Sequence, residues 1–125
     1  MNDQTEAAEV RIYVVKRLRN RRIASNERGT VALAVIQVLR VGSSPDLRLQ
    51  SALALAEFTD IERVIQMLGS IALDLREPID LRYSAFTSLE RAGPVDECVE
   101  ILRQLAVDEA LGRSARSLLS TWKLK

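Results

Sequence analysis

Histidine is absent from the 125 residues, and cysteine occurs only once, as Cys98. A chain without histidine lacks the commonest general base and the commonest metal ligand, and it cannot form a Ser-His or Cys-His nucleophile system. One cysteine makes neither an internal disulfide nor a thiolate zinc site, so we expect Cys98 to be a small buried apolar side chain. The five glycines form no phosphate-binding loop. We therefore expect no enzyme, no metal site and no cofactor.

Aromatic residues make up only 4% of the chain, whereas hydrophobic residues make up 47%. The core must then be built from aliphatic side chains, and residues 1–125 have the length of one domain. The longest apolar stretch, residues 31–41, is interrupted by Gln37 and Arg40 and is too short to span a bilayer. The first residues lack the charged and then apolar pattern of a signal peptide. We expect a cytoplasmic protein that makes no membrane contact.

Charge is distributed unevenly along the chain, although the formal net charge is only +1. Residues 1–45 carry 8 basic and 4 acidic side chains, residues 46–109 carry 6 and 13, and residues 110–125 carry 4 and none. This pattern favours a mixed, solvated surface. The alternative is that the positive ends contact the negative middle of another copy, or that they contact an acidic partner.

A repeat of 34 residues runs through the second half of the chain. The triplet at residues 46–48, Asp-Leu-Arg, recurs at residues 80–82. Six apolar positions recur at the same offset: Ile61, Val64, Ile65, Leu68, Ile71 and Ala72 correspond to Val95, Cys98, Val99, Leu102, Leu105 and Ala106. A fixed period of this size predicts stacked copies of one supersecondary unit.

The spacing and capping residues predict helices throughout. Ser44 followed by Pro45 is typical of a helix start, and Thr59 with Glu62 matches a capping box. Residues 31–39 are rich in β-branched side chains and could form a strand, but no second strand candidate exists to pair with it, so we predict a helix. The predicted helical pairs are residues 9–41, 45–74 and 78–108, followed by a terminal helix at 109–124.

The repeated triplet is followed by a small residue three or four positions after the arginine and by a leucine seven positions after it. This pattern resembles the first helix of HEAT-like repeats of the phycobilisome-lyase type. The matching residues are Asp46, Leu47, Arg48, Ala52 and Leu55, then Asp80, Leu81, Arg82, Ala85 and Leu89, with Glu9, Val10, Arg11 and Leu18 as a weaker copy. The resemblance implies an all-α, right-handed solenoid of about three hairpins with a C-terminal helix. The usual glycine after the first helix appears only as Gly93.

The repeated arginines predict a structural contact. Arg48 and Arg82 lie in the first turn of their helices, where a cation opposes the helix dipole and needs compensation. We expect polar contacts between repeats, with Arg11 as the counterpart in the weaker copy. The carboxylates near them in the sequence or at the unit ends are Asp46, Asp80, Asp74 and Asp108.

Two surfaces are candidates for binding. The resemblance implies that second helices line a concave face that binds partners; the polar residues predicted for it in the second and third pairs are Arg63, Gln66, Glu97, Glu100, Arg103 and Gln104. The second candidate is a basic segment suited to phosphates or an acidic partner: Lys16, Arg17, Arg19, Arg21, Arg22 and Arg28.

These patterns favour a small non-catalytic adaptor or scaffold that binds a protein partner on the face of the second helices. A nucleic-acid or phosphate binder that uses residues 16–28 is an alternative. An accessory subunit related to phycobilin lyases is another, and it rests on the resemblance alone. We expect the terminal helix to cap the stack, with self-association through it as the alternative.

Overall fold

The computed structural model describes residues 27–41 and 44–123, and all regular structure within them is helical. Six α-helices follow one another: α1 (Arg28–Val41), α2 (Pro45–Ala54), α3 (Glu62–Leu73), α4 (Ile79–Glu90), α5 (Asp96–Leu105) and α6 (Gly112–Thr121). A 3₁₀ segment, Leu55–Phe58, continues α2. The all-α class is therefore confirmed, and residues 31–39 lie within α1 rather than in a strand.

The start of α2 follows the predicted signals, whereas the start of α3 does not. The Ser44 hydroxyl accepts a hydrogen bond from the Leu47 amide at 3.3 Å, and Pro45 occupies the first turn. The capping box predicted at Thr59 and Glu62 is wrong, because the N-cap of α3 is Ile61 and the Thr59 hydroxyl donates to the Ala56 carbonyl. The 3₁₀ segment places Thr59 in the turn that reverses the chain.

The helices pack in two layers. Helices α1 and α2, α3 and α4, and α5 and α6 contact each other as consecutive pairs, while α2 also contacts α4, and α3 contacts α5. One layer thus contains α2 and α4, and the other contains α1, α3 and α5. The core between them is mainly aliphatic, with two buried phenylalanines, Phe58 and Phe86.

Cys98 belongs to this core, as expected. It is fully buried, and its thiol donates a hydrogen bond of 3.3 Å to the Leu89 carbonyl. Burial raises the pKa of the thiol to about 11, because desolvation disfavours the thiolate. The thiol is therefore protonated at neutral pH and fills space as a small apolar group.

The last helix closes the core. Leu111, Ala115 and Leu119 are buried, and Leu118 and Trp122 pack partly buried against the same cluster. The outward side chains of α6 are polar. Among the described residues, no helix has both the length and the apolar character needed to cross a membrane.

Candidate interaction surface

Arg48 joins three parts of the chain. Its Nε donates to the Leu39 carbonyl, in the last turn of α1, at 2.9 Å, and its two terminal nitrogens bind the Glu77 carboxylate, with Nη1 at 2.9 Å from Oε1. Glu77 lies in the loop after α3. The side-chain hydrogen bond from Arg48 holds the pKa of Glu77 below its usual range. This one guanidinium therefore ties α2 to the helix before it and to the loop after the next one.

Arg82 repeats the arrangement 34 residues later. Its Nε donates to the Ala72 carbonyl at 3.0 Å, and its Nη2 binds the Asp108 carboxylate. The side chains of this pair are only 7% and 10% exposed. Burial acts to raise the pKa of Asp108, but hydrogen bonds from the Leu111 amide, Arg82 and the Ala110 amide outweigh it and lower the pKa.

The dipole conflict expected for these arginines is resolved by the helix ends they reach. Each guanidinium binds a carbonyl in the last turn of the preceding helix, where the dipole is negative and carbonyls lack intrahelical partners. The carboxylates involved are Glu77 and Asp108, whereas Asp80 accepts from the Leu81 amide instead. Asp74 binds Arg76, and Asp46 is exposed. Arg11 lies outside the described residues.

A third arginine, which the repeated triplet did not predict, makes the same kind of carbonyl contact. Arg116 lies 34 residues after Arg82, and its Nη1 donates to the Ala106 carbonyl, just after α5. The signal that identifies Arg116 is the 34-residue offset itself, since neither the aspartate nor the leucine of the triplet recurs at residues 114 and 115. The arginine position is therefore retained where the rest of the motif is lost.

Two depressions lie side by side along α3 and α5. The first, of about 600 Å³, runs between the starts of these helices and the ends of the 3₁₀ segment and α4. Its lining includes five carboxylates: Glu57, Asp60, Glu62, Asp96 and Glu97. The one cation in this lining, Arg91, lies 3.4 Å from the Glu57 carboxylate.

The second depression, of about 650 Å³, shares two acidic residues with the first. Its lining is Gln66, Gly69, Ser70, Leu73, Asp96, Glu97, Glu100 and Ile101. A Cβ on Gly69 would lie 2.5 Å from Ile101 Cδ1, so the glycine allows the Ile101 side chain of α5 to pack directly on the α3 backbone. We call the two depressions together the α3/α5 face.

Three of the six residues predicted for partner binding meet in this face, namely Gln66, Glu97 and Glu100. Arg63 and Arg103 are exposed on the same two helices but do not line these two depressions. Gln104 lies in a separate depression beside Arg82. The acidic residues of the first depression, apart from Glu97, were not predicted.

Glu97 is the electrostatically unusual member of the face. A hydrogen bond with the Glu62 side chain, burial and the repulsion between the two carboxylates raise its pKa. Among the described residues, its Oε2 is shielded from solvent and has no hydrogen-bond partner. Two neighbouring carboxylates with no cation between them leave this part of the face with excess negative charge.

No protein-family model, curated protein or solved structure matches this chain. Within the part of the chain that the structure describes, no three or more His, Cys, Asp or Glu side chains are arranged to hold a metal ion. What the α3/α5 face offers is carboxylates and an amide around a partly apolar floor.

The predicted basic segment falls mostly outside the described residues. Of its members, Lys16, Arg17, Arg19, Arg21 and Arg22 are not described, and only Arg28 has a defined position. Its guanidinium donates to the Glu57 carbonyl at 2.7 Å, binds Asp60 and lies 5.0 Å from the centre of the Phe58 ring. Arg28 is thus committed to contacts within the molecule at the start of α1.

Proposed function

We propose that this protein is a non-catalytic interaction module, an adaptor or scaffold, that binds a protein partner on the α3/α5 face. The architecture we propose for it is a right-handed solenoid of HEAT-like hairpins. The observation that carries the proposal is the pair of adjacent depressions along α3 and α5, the second of which is lined by Gln66, Glu97 and Glu100. Two adjacent open depressions that share Asp96 and Glu97 suit a protein segment better than a small molecule, because neither encloses a ligand.

The charge and shape of the face define the partner's chemistry. Its carboxylates outnumber its cations, and Ile65, Val95 and Ile101 add apolar area to the lining. Val95 is 44% exposed, so part of that area is accessible to a partner. A segment that offers arginine or lysine beside apolar side chains complements both features, because buried apolar area supplies affinity and charge supplies orientation.

The arginine contacts support this role by fixing the frame. Arg48 and Arg82 hold the ends of α1 and α3 against the following helices through paired hydrogen bonds. A face that is rigid before binding loses less conformational entropy when the partner docks.

The test is capture of partners from native lysate, identified by mass spectrometry, with the wild type and matched variants. Glu100→Lys and Gln66→Lys change exposed residues of the face, so we expect folding to persist and recovery of the true partner to fall about tenfold. Arg76→Ala is the control, because its side chain is 91% exposed and lies in the loop after α3. Equal recovery of every protein by all variants overturns the proposal.

A further inference from the structure

Arg48, Arg82 and Arg116 form a series in which the third member is incomplete. Each donates to a carbonyl at the end of the preceding helix: Leu39, Ala72 and Ala106 respectively. The first two also bind a carboxylate, Glu77 or Asp108, with their terminal nitrogens. Among the described residues, no carboxylate lies within ion-pair distance of Arg116.

The sequence near Arg116 explains the missing carboxylate. The nearest acidic residues, Asp108 and Glu109, precede α6, and no Asp or Glu occurs from residue 110 onward. Asp108 is already held by Arg82 and by the Ala110 and Leu111 amides, and Glu109 is exposed. The outward side of α6 is therefore basic, with Arg113 exposed in its first turn and Lys123 exposed just after its last residue.

A hydrogen bond to the Ala106 carbonyl nevertheless holds the Arg116 guanidinium in place, and Gly112 leaves the space that the guanidinium occupies. A Cβ at Gly112 would lie 2.8 Å from the Ala106 oxygen and 3.0 Å from Arg116 Nη1. Arg116 uses Nη1 for the carbonyl, and among the described residues its Nε and Nη2 have no hydrogen-bond partner. A planar guanidinium that is already held by one hydrogen bond can bind a carboxylate with its remaining N–H groups and loses little further conformational entropy.

We propose that Arg116 is the docking point for a carboxylate of a partner protein that packs on the exposed side of α6, in the way that Arg48 holds Glu77 and Arg82 holds Asp108. The partner presents an aspartate or glutamate in a loop beside a helix, since both internal carboxylates lie in the loops that follow α3 and α5. The repulsion of like charges by Arg113 and Lys123 excludes a basic surface. This site uses none of the residues of the α3/α5 face.

A carboxylate is favoured over phosphate by the chain's own precedent, because both complete members of the series take a carboxylate. A polyphosphate or nucleic acid would bind through general charge, and Arg113 would then count as much as Arg116. The two arginines lie on the same helix, and both are exposed. They therefore form a matched pair for the test.

The probe is a synthetic peptide of residues 95–110, which contains Asp108, the carboxylate that Arg82 binds within the chain. It carries Cys98→Ser to prevent oxidation. We expect it to bind the full chain, as measured by fluorescence anisotropy at low ionic strength, with weaker binding as salt is added. Arg116→Ala should weaken binding about tenfold, and Arg113→Ala less than about threefold. The peptide with Asp108→Asn should lose as much affinity as Arg116→Ala, and combining the two changes should cost little more.

Equal losses for Arg113→Ala and Arg116→Ala, or undiminished binding of the Asp108→Asn peptide, overturn the proposal. Competition by inorganic polyphosphate that is insensitive to Arg116→Ala does so as well. Circular dichroism of each variant establishes that the helices are retained. Sedimentation of the protein without any partner identifies the source of the carboxylate. If the wild type self-associates and only Arg116→Ala abolishes this, the carboxylate comes from a second copy of the chain, and the proposal of a separate partner is overturned.

Discussion

Arg82 is the only charged side chain among the described residues that is buried as a whole residue, with 5% of its surface exposed. A buried guanidinium is tolerated only when its donors are satisfied, and here the Ala72 carbonyl and the Asp108 carboxylate provide acceptors. Arg48 makes the same kind of contacts with its side chain 20% exposed. Equivalent positions of the repeat therefore differ in how strongly the fold depends on them.

We predict that Arg82→Ala lowers the free energy of unfolding by about 3 kcal/mol, because it leaves a mostly buried carboxylate and a helix-end carbonyl without their partner. Arg48→Ala should cost about 1.5 kcal/mol, since water reaches Glu77 more readily. Urea unfolding measures both changes. Arg76→Ala serves as the control, with a change within about 0.5 kcal/mol. A loss for Arg82→Ala no larger than that of the control would contradict the structural role of this pair.

The same contacts predict how stability depends on acid. The hydrogen bond from Arg48 lowers the pKa of Glu77, and three hydrogen bonds lower that of Asp108 against the effect of burial. Since the folded pKa lies below the unfolded one, this stabilisation is present above about pH 4 and is lost as the pH falls through the folded value. Thermal unfolding of wild type and Asp108→Asn should show a Tm difference at pH 7 that shrinks below about pH 4. A constant difference would exclude this linkage.

The pKa of Glu97 is shifted in the opposite direction, so its effect on stability is also opposite. Its raised pKa, caused first by the hydrogen bond with Glu62, means that the folded state favours the protonated form, so the ionised carboxylate destabilises the fold at neutral pH. Glu97→Gln should raise the Tm at pH 7, and the gain should diminish as acid protonates the wild-type side chain. Glu100→Gln, exposed on the same helix, is the control for general loss of charge and should leave the Tm unchanged. A lower Tm for Glu97→Gln would refute this interpretation.

At the scale of single helices, the sequence predicts the elements better than their ends. Ser44 and Pro45 mark the start of α2 correctly, because a side-chain cap acts within one turn. Thr59 and Glu62 have the right spacing for a cap, yet the chain continues from α2 as a 3₁₀ segment and reverses just after it. A four-residue pattern carries no information on the direction in which the chain enters the helix, so the boundary is misplaced by two residues.

The candidate surface was predictable only in part, for a similar reason. The helical period places Gln66, Glu97 and Glu100 on α3 and α5, but the depth of the recess depends on Gly69, whose counterpart in the next repeat is Arg103. The carboxylates that bind Arg48 and Arg82 lie 29 and 26 residues after them, so a strict 34-residue alignment does not pair them. The loops that carry Glu77 and Asp108 differ in length, and the long arginine side chains still reach the carboxylate in each loop.

Gly112 gives a prediction for α6 as an element. A Cβ there would lie 2.8 Å from the Ala106 oxygen, a backbone atom that can move only with its turn. Gly112→Ala should therefore cost about 1–2 kcal/mol in urea unfolding, although alanine alone favours a helix by about 1 kcal/mol. Gly29→Ala in α1 is the matched control, because nothing lies within 4 Å of its added Cβ, and it should be neutral or stabilising. Identical effects at the two glycines would contradict the close contact.

For the molecule as a whole, the two-layer arrangement makes stability depend on position. Helices α3 and α4 lie between neighbours on both sides, whereas α6 packs chiefly on α5. In such an arrangement each unit is stabilised by the units beside it, so an end helix can open while the middle stays folded. Each helix contacts mainly the helices packed beside it, so one continuous core does not enforce a single cooperative transition.

Amide hydrogen exchange should reveal this gradient, with the slowest amides in α3 and α4 and faster exchange in α6. Leu119→Ala removes a buried side chain of α6 and should speed exchange within that helix while α3 keeps its protection. Leu68→Ala, fully buried in α3, should instead lower protection in every helix by the equivalent of about 2–4 kcal/mol, because opening the centre separates both neighbours. Uniform loss of protection in both variants would show that α6 unfolds only with the whole chain, and the neighbour-by-neighbour account of stability would then fail.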